Sequence, residues 1–83
     1  MRILPISARL VKYLAKRNLK NKYKKQAKLL SLNFRHPSLH VERLEPKHLG
    51  VYSFRINQQF RGIFFYIPEE NAIQIVDIND HYR

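Results

Sequence analysis

Eighty-three residues make one domain, 1–83, with no room for a second core, and a 45% hydrophobic content excludes a disordered polyelectrolyte. Sixteen Lys and Arg against six Asp and Glu give a formal charge of +10, an excess that attracts a polyanion or an acidic protein. The absence of cysteine excludes disulfides and thiolate metal sites and gives no support to an oxidising compartment.

At the N-terminus, Met1-Arg2-Ile3-Leu4-Pro5 is charged too early for a signal peptide. The longest apolar run, near 63–67, is far too short to span a bilayer. A cytoplasmic protein without membrane contact is expected. Residues 2–5 read as a short strand ended by Pro5, and Ser7 as the N-cap of a helix. Leu10, Val11 and Leu14 form the apolar face of that helix, with Lys12 and Lys16 turned away. Arg17-Asn18 breaks the phase, after which Leu19, Tyr23, Ala27, Leu30 and Phe34 recur at helical spacing. The spacing predicts a helical hairpin over 8–17 and 19–33, its far side carrying Lys20, Lys24, Lys25 and Lys28.

After Pro37 the period changes to two. Residues 39–44 form a strand with imperfect alternation. Residues 51–57 alternate more cleanly, with Tyr52, Phe54 and Ile56 on one face and Ser53 and Arg55 on the other. Residues 60–67 are apolar on both faces, as in a central strand. Residues 68–71 turn, and 72–78 form a last strand rich in β-branched residues. The expected class is α+β, an N-terminal helical hairpin packed on one face of a mainly antiparallel four-stranded sheet.

The turn between 51–57 and 60–67 bears on chemistry. An even-length loop would pair Arg61 with Ile56 and bury an unpaired guanidinium under the helices, at several kcal/mol. The odd loop Asn57-Gln58-Gln59 pairs Arg55 with Arg61 on the open face, and stacks Tyr52 on Phe64 and Ile56 on Phe60 in the core. Two arginines abreast are best tolerated with an anion between them.

Three segments carry a family resemblance: Arg35-His-Pro-Ser-Leu-His-Val-Glu-Arg-Leu44, Gly50-Val-Tyr-Ser-Phe-Arg-Ile-Asn-Gln-Gln-Phe-Arg61, and Ile78-Asn-Asp-His-Tyr-Arg83. Their order and spacing, over nearly the whole chain, resemble the RelE/ParE superfamily of type II toxins, and within it the YoeB-like branch. That branch has a Glu two residues before a Leu entering the sheet, two Arg six apart, and a His-Tyr pair. These fall here on Glu42 before Leu44, Arg55 with Arg61, and His81-Tyr82. The RelE branch carries lysines on the strand that holds Ser53 and Arg55, so its lysine-based chemistry does not transfer.

The resemblance implies a ribosome-dependent endoribonuclease that cleaves messenger RNA through its own 2′-hydroxyl without metal or cofactor. That reaction needs a base, charge on the phosphorane, and an acid for the departing 5′-oxygen. Glu42 can be the base, Arg61 can hold the non-bridging oxygens with its planar fork, and His81 is the candidate acid. Tyr82 can stack on a base or position the phosphate, and Arg55 can contact a neighbouring phosphate. Lys20, Lys24 and Lys28 can form the footprint on ribosomal RNA.

Each residue has a plainer role open to it. Glu42 can neutralise Arg43 or a lysine, and Arg61 can be a solvated strand charge. His81 can fray, Tyr82 can clasp the end of the chain, Arg55 can form an ordinary salt bridge, and the lysines can be a solvated helix face. His36 and His40 straddle Pro37 and lack further ligands for zinc. A ParE-like inhibitor of DNA gyrase, with the same fold and no nuclease activity, is the alternative function. A plain basic nucleic-acid-binding module is a third reading, though no groove-reading helix is evident. The toxin readings imply an acidic antitoxin that wraps the basic surface, and leave open a homodimer or a toxin–antitoxin hetero-oligomer.

Overall fold

The chain enters as a two-residue strand and at once builds its helices. The computed structural model describes residues 1–81. Strand β1 is Arg2–Ile3, followed by helix α1, Ala8–Lys16, and helix α2, Lys20–Leu32. Ser7 caps α1, its Oγ accepting from the Leu10 amide at 3.2 Å. Asn18 ends α1 in the left-handed region (φ 57°), where its short polar side chain is tolerated. That residue is the physical cause of the phase break between the two apolar faces.

The sheet follows: β2 at Glu42–Arg43, β3 at Val51–Arg55, β4 at Arg61–Ile67 and β5 at Ala72–Asn79. Its order is β1-β5-β4-β3-β2. Strand β1 runs parallel to β5, and the other pairs are antiparallel. The sheet is therefore five-stranded and mixed, where four mainly antiparallel strands were expected. The α+β class and the helical hairpin on one face are as expected. Both edge strands are two residues long, shorter than the 2–5 and 39–44 expected, because so few residues give alternation no clear end.

Three further expectations need correction. Most of 39–44 is not strand: Pro37–Leu39 is a 3-10 turn that seats Leu39 fully in the core, and pairing begins only at Glu42. Phe34 lies past the end of α2, which stops at Leu32. It is substantially exposed, as is Val11 on α1. The pattern of 60–67 also overstated burial, because Phe65 and Tyr66 are partly exposed.

Strand register follows the odd loop. Arg55 pairs with Arg61, Phe54 with Gly62, and Tyr52 with Phe64. The loop closes through Asn57, whose Oδ1 accepts from the amides of Gln59 (2.9 Å) and Phe60 (2.7 Å), while the Ile56 amide reaches Phe60 O at 3.0 Å. On the helix side Phe54, Ile56, Phe60, Phe64, Ile75 and Ile78 pack with Leu10, Leu14, Leu19, Tyr23, Ala27 and Leu30. Tyr52 stacks on Phe64 at 5.6 Å between centroids, and Phe54 meets Phe64 edge-on at 5.8 Å.

Two measurements probe this packing. A Cβ at Gly62 would come within 2.8 Å of Phe54 Cζ and closer still to Cε1. Gly62→Ala should therefore destabilise the fold by about 1–3 kcal/mol in equilibrium urea unfolding. Burial pushes the Tyr23 phenol up to about 12. Because the folded value exceeds the unfolded one, its contribution is intact below the ordinary tyrosine range and is lost as pH rises towards 12. Tyr23→Phe should remove a phenolate absorbance component with a midpoint of about 12 and flatten that alkaline loss of stability.

Candidate functional site

The sheet face turned away from the helices carries two cross-strand rows of mainly polar side chains. Arg55, Arg61 and Asn79 are in register across β3, β4 and β5, and Ser53, Ile63 and Asp77 form the next row. Glu42 joins the second row by pairing with Ser53. Successive strand residues face opposite ways, so Arg43, paired with Tyr52, lies on the other face from Glu42. Its guanidinium is 5.7 Å from the Tyr52 ring centroid, and its Nε donates to Lys47 O at 2.8 Å.

Arg61 is on the expected face but is not open to solvent: it is 3% exposed, and Ser53 beside it 0%. Nε and Nη2 of Arg61 donate to Ser53 Oγ at 3.1 and 2.9 Å, and Nη2 also donates to the His40 carbonyl. His40 can aim that carbonyl because it ends the 3-10 turn in the left-handed region (φ 43°). The picture of Arg61 as a solvated strand charge is thereby corrected. It is a buried cation held by a hydroxyl and a main-chain oxygen.

The other candidate residues are placed less tightly. Arg55 is half-buried, and its carbonyl accepts from Gln26 Nε2 at 2.9 Å. It lines an open cleft with Lys22, Ser38, Asn57, Gln58, Gln59 and Asp80. Glu42 is exposed at the sheet edge, one register position from Arg61's hydroxyl partner. His81 is 86% exposed, its Nε2 4.0 Å from Asp80, and its amide donates to Asn79 Oδ1 at 3.1 Å. It therefore lies two residues past the Arg55–Arg61–Asn79 row. Tyr82 lies outside the described residues. Lys20, Lys24 and Lys28 are exposed on α2; the lysine that shares the cleft with Arg55 is Lys22.

Sequence reasoning missed Ser53, Gln26 and Lys22. A serine on a polar strand face carries no signal until the register puts it beside an arginine. Gln26 is buried on α2 and donates to both Ser38 O (3.3 Å) and Arg55 O (2.9 Å), a tie visible only in three dimensions. His36 acts locally, its Nδ1 accepting from the Ser38 amide at 3.2 Å. Among the described residues no group of three or more His, Cys, Asp or Glu could hold a metal ion. Among the described residues no helix is long and apolar enough to cross a membrane.

No protein-family model and no curated protein matches the chain. Solved structures do. The YoeB dimer from Staphylococcus aureus is 24% identical, with TM-score 0.71 over 98% of this chain and 94% of that one. The YoeB/ParE toxin from Agrobacterium tumefaciens is 14% identical, with TM-score 0.75 over 99% of this chain and 100% of that one. The heterotetrameric YoeB–YefM toxin–antitoxin complex from Staphylococcus aureus gives 24% and 0.68, again over 98% and 94%. The chain shares the fold of these YoeB and YoeB/ParE toxins.

Proposed function

We propose that the chain is the toxin of a type II toxin–antitoxin pair and an endoribonuclease that cuts messenger RNA on the ribosome. One observation carries this reading. The register of β2, β3 and β4 brings Glu42 to the same row as Ser53, the hydroxyl that holds Arg61. A carboxylate and an oriented guanidinium on one sheet face supply the base and the phosphorane-binding charge that attack by the 2′-hydroxyl requires. Arg61 takes the non-bridging oxygens, and Arg55, at the mouth of the cleft, takes an adjoining phosphate. His81, two residues past the arginine row, protonates the leaving 5′-oxygen, and Tyr82 stacks on a base. The chemical step needs neither metal nor cofactor.

The surroundings fit this reading. Lys20, Lys24 and Lys28 are spaced four apart on α2 and exposed, so they form a stripe able to follow a phosphate backbone. The ribosome supplies the orientation that so small a protein cannot. The acidic antitoxin occupies the basic surface. An apolar groove lined by Phe34, Val41, Tyr52 and Tyr66, with Arg35 and Arg43 on its border, suits an acidic segment bearing apolar anchors. The whole assembly works in the cytoplasm.

On translating ribosomes, Arg61→Ala, Glu42→Ala and His81→Ala should each lower message cleavage by at least about tenfold with the fold intact. The product should end in a 2′,3′-cyclic or 3′-phosphate, and deoxyribose at the cut site should abolish cleavage. Lys24→Ala should weaken ribosome binding modestly, and more at low salt than at high. Undiminished cleavage by all three alanine variants removes those residues from the mechanism. Intact messages together with inhibited supercoiling by purified gyrase would establish the ParE-like alternative instead.

A further inference from the structure

We infer that Ser53 is a positioning residue, whose buried hydroxyl, together with the His40 carbonyl, fixes the plane and direction of the Arg61 guanidinium. The inference rests on the reading of Arg61 as the phosphate-binding cation. A hydroxyl oxygen has two lone pairs, and Ser53 Oγ accepts from two different nitrogens of Arg61, at 3.1 and 2.9 Å. Two donors of one rigid fork on one oxygen define the fork's plane. The bond from Nη2 to His40 O then sets its tilt within the site.

Ser53 can do this because it does not move. It sits in β3, is 0% exposed, and is paired on both sides, with Glu42 on β2 and Ile63 on β4. A free arginine samples many rotamers and loses side-chain entropy when fixed. Here the ordering is complete before any RNA arrives, which is the condition under which a charge stabilises a transition state without reorganising. Both oxygens are neutral, so neither holds the guanidinium by cancelling its charge, as an aspartate at this position would.

The test reads Arg61 directly. The Arg61 Nε–H resonance, assigned by its loss in Arg61→Lys, should exchange with water at least about a hundredfold more slowly than that of free arginine. Ser53→Ala should speed that exchange at least tenfold. It should also lower single-turnover cleavage at saturating ribosomes about tenfold, with half-saturation unchanged. Ser53→Thr, which keeps the hydroxyl, should restore both towards the wild-type values. In an Arg61→Lys background, Ser53→Ala should cost little more, because the two changes remove one device. If circular dichroism shows Ser53→Ala unfolded, Ser53→Cys makes the same comparison with a weak acceptor.

Fast exchange of Arg61 Nε–H in the wild type overturns the inference. So does a folded Ser53→Ala protein that cleaves at the wild-type rate, or one altered only in half-saturation. Should the wild type cut no message at all, the nuclease reading fails on its own, and the exchange of Arg61 with and without the Ser53 hydroxyl still decides whether Ser53 holds it.

Discussion

A guanidinium cannot be taken out of water unless its N–H groups meet acceptors at the right angles, and that requirement shapes much of this molecule. Arg61 is 3% exposed, and an uncompensated buried charge would cost several kcal/mol. Ser53 Oγ and the His40 carbonyl supply acceptors to two of its nitrogens, Nε and Nη2, and each is available only because of something else. Ser53 faces Arg61 because Arg55 pairs with Arg61. That register exists because three residues, closed by the Asn57 side chain, separate Ile56 from Phe60. His40 offers its carbonyl because Leu39 is sunk in the core and the next residue turns left-handed. A slip of one residue in the hairpin would turn Arg61 away from the face that Ser53 occupies.

The opposite face of the sheet completes the constraint. Gly62, next to Arg61, has no side chain, and Phe54 of the adjoining strand lies across it. Phe54 in turn touches Phe64 edge-on, and its ring lies 6.5 Å from that of Tyr23 on α2. The aromatic cluster therefore presses on the strand beneath the arginine. Gln26 links the same helix to the rim of the cleft, one amide nitrogen reaching carbonyls of the 3-10 turn and of the end of β3. Helix packing and site geometry are thus mechanically one system. Substitutions in α2 that leave Arg61 untouched still bear on the segment whose carbonyl holds it.

The sequence made some of this legible and hid the rest for identifiable reasons. The helices were legible because their apolar spacing persists over several turns and Ser7 caps the first. The hairpin register was legible because only one loop parity keeps Arg61 off the helix-covered face. The edge strands were read in place but too long, because two paired residues are too few for alternation to mark their ends, and Phe34 was miscounted as helical because an apolar residue at the right spacing looks the same just beyond a helix end. Within the site, the arginines and Glu42 declared themselves by charge and order. Ser53 did not, since its importance comes from two hydrogen bonds across strands. The depth of Arg61 was also invisible, because alternation tells which face a side chain takes and not what covers that face.

Burial divides the candidate groups in two. Arg61 is fixed by named bonds, whereas Glu42 and His81 are exposed and Arg55 is intermediate. On the proposed reading, charge stabilisation is assembled in the free protein, and the acid–base pair reaches working geometry only against RNA, as hydrogen bonds in unliganded sites commonly do. This division has a physical rationale. The arginine's charge does not change in the reaction, so burying it early costs nothing later. A base and an acid must exchange protons with the substrate, and both stand at the surface, where substrate can reach them. A chain with a formal charge of +10 draws the polyanion in without a preformed pocket. The protein is left to supply one rigid cation and two groups that the substrate brings to bear.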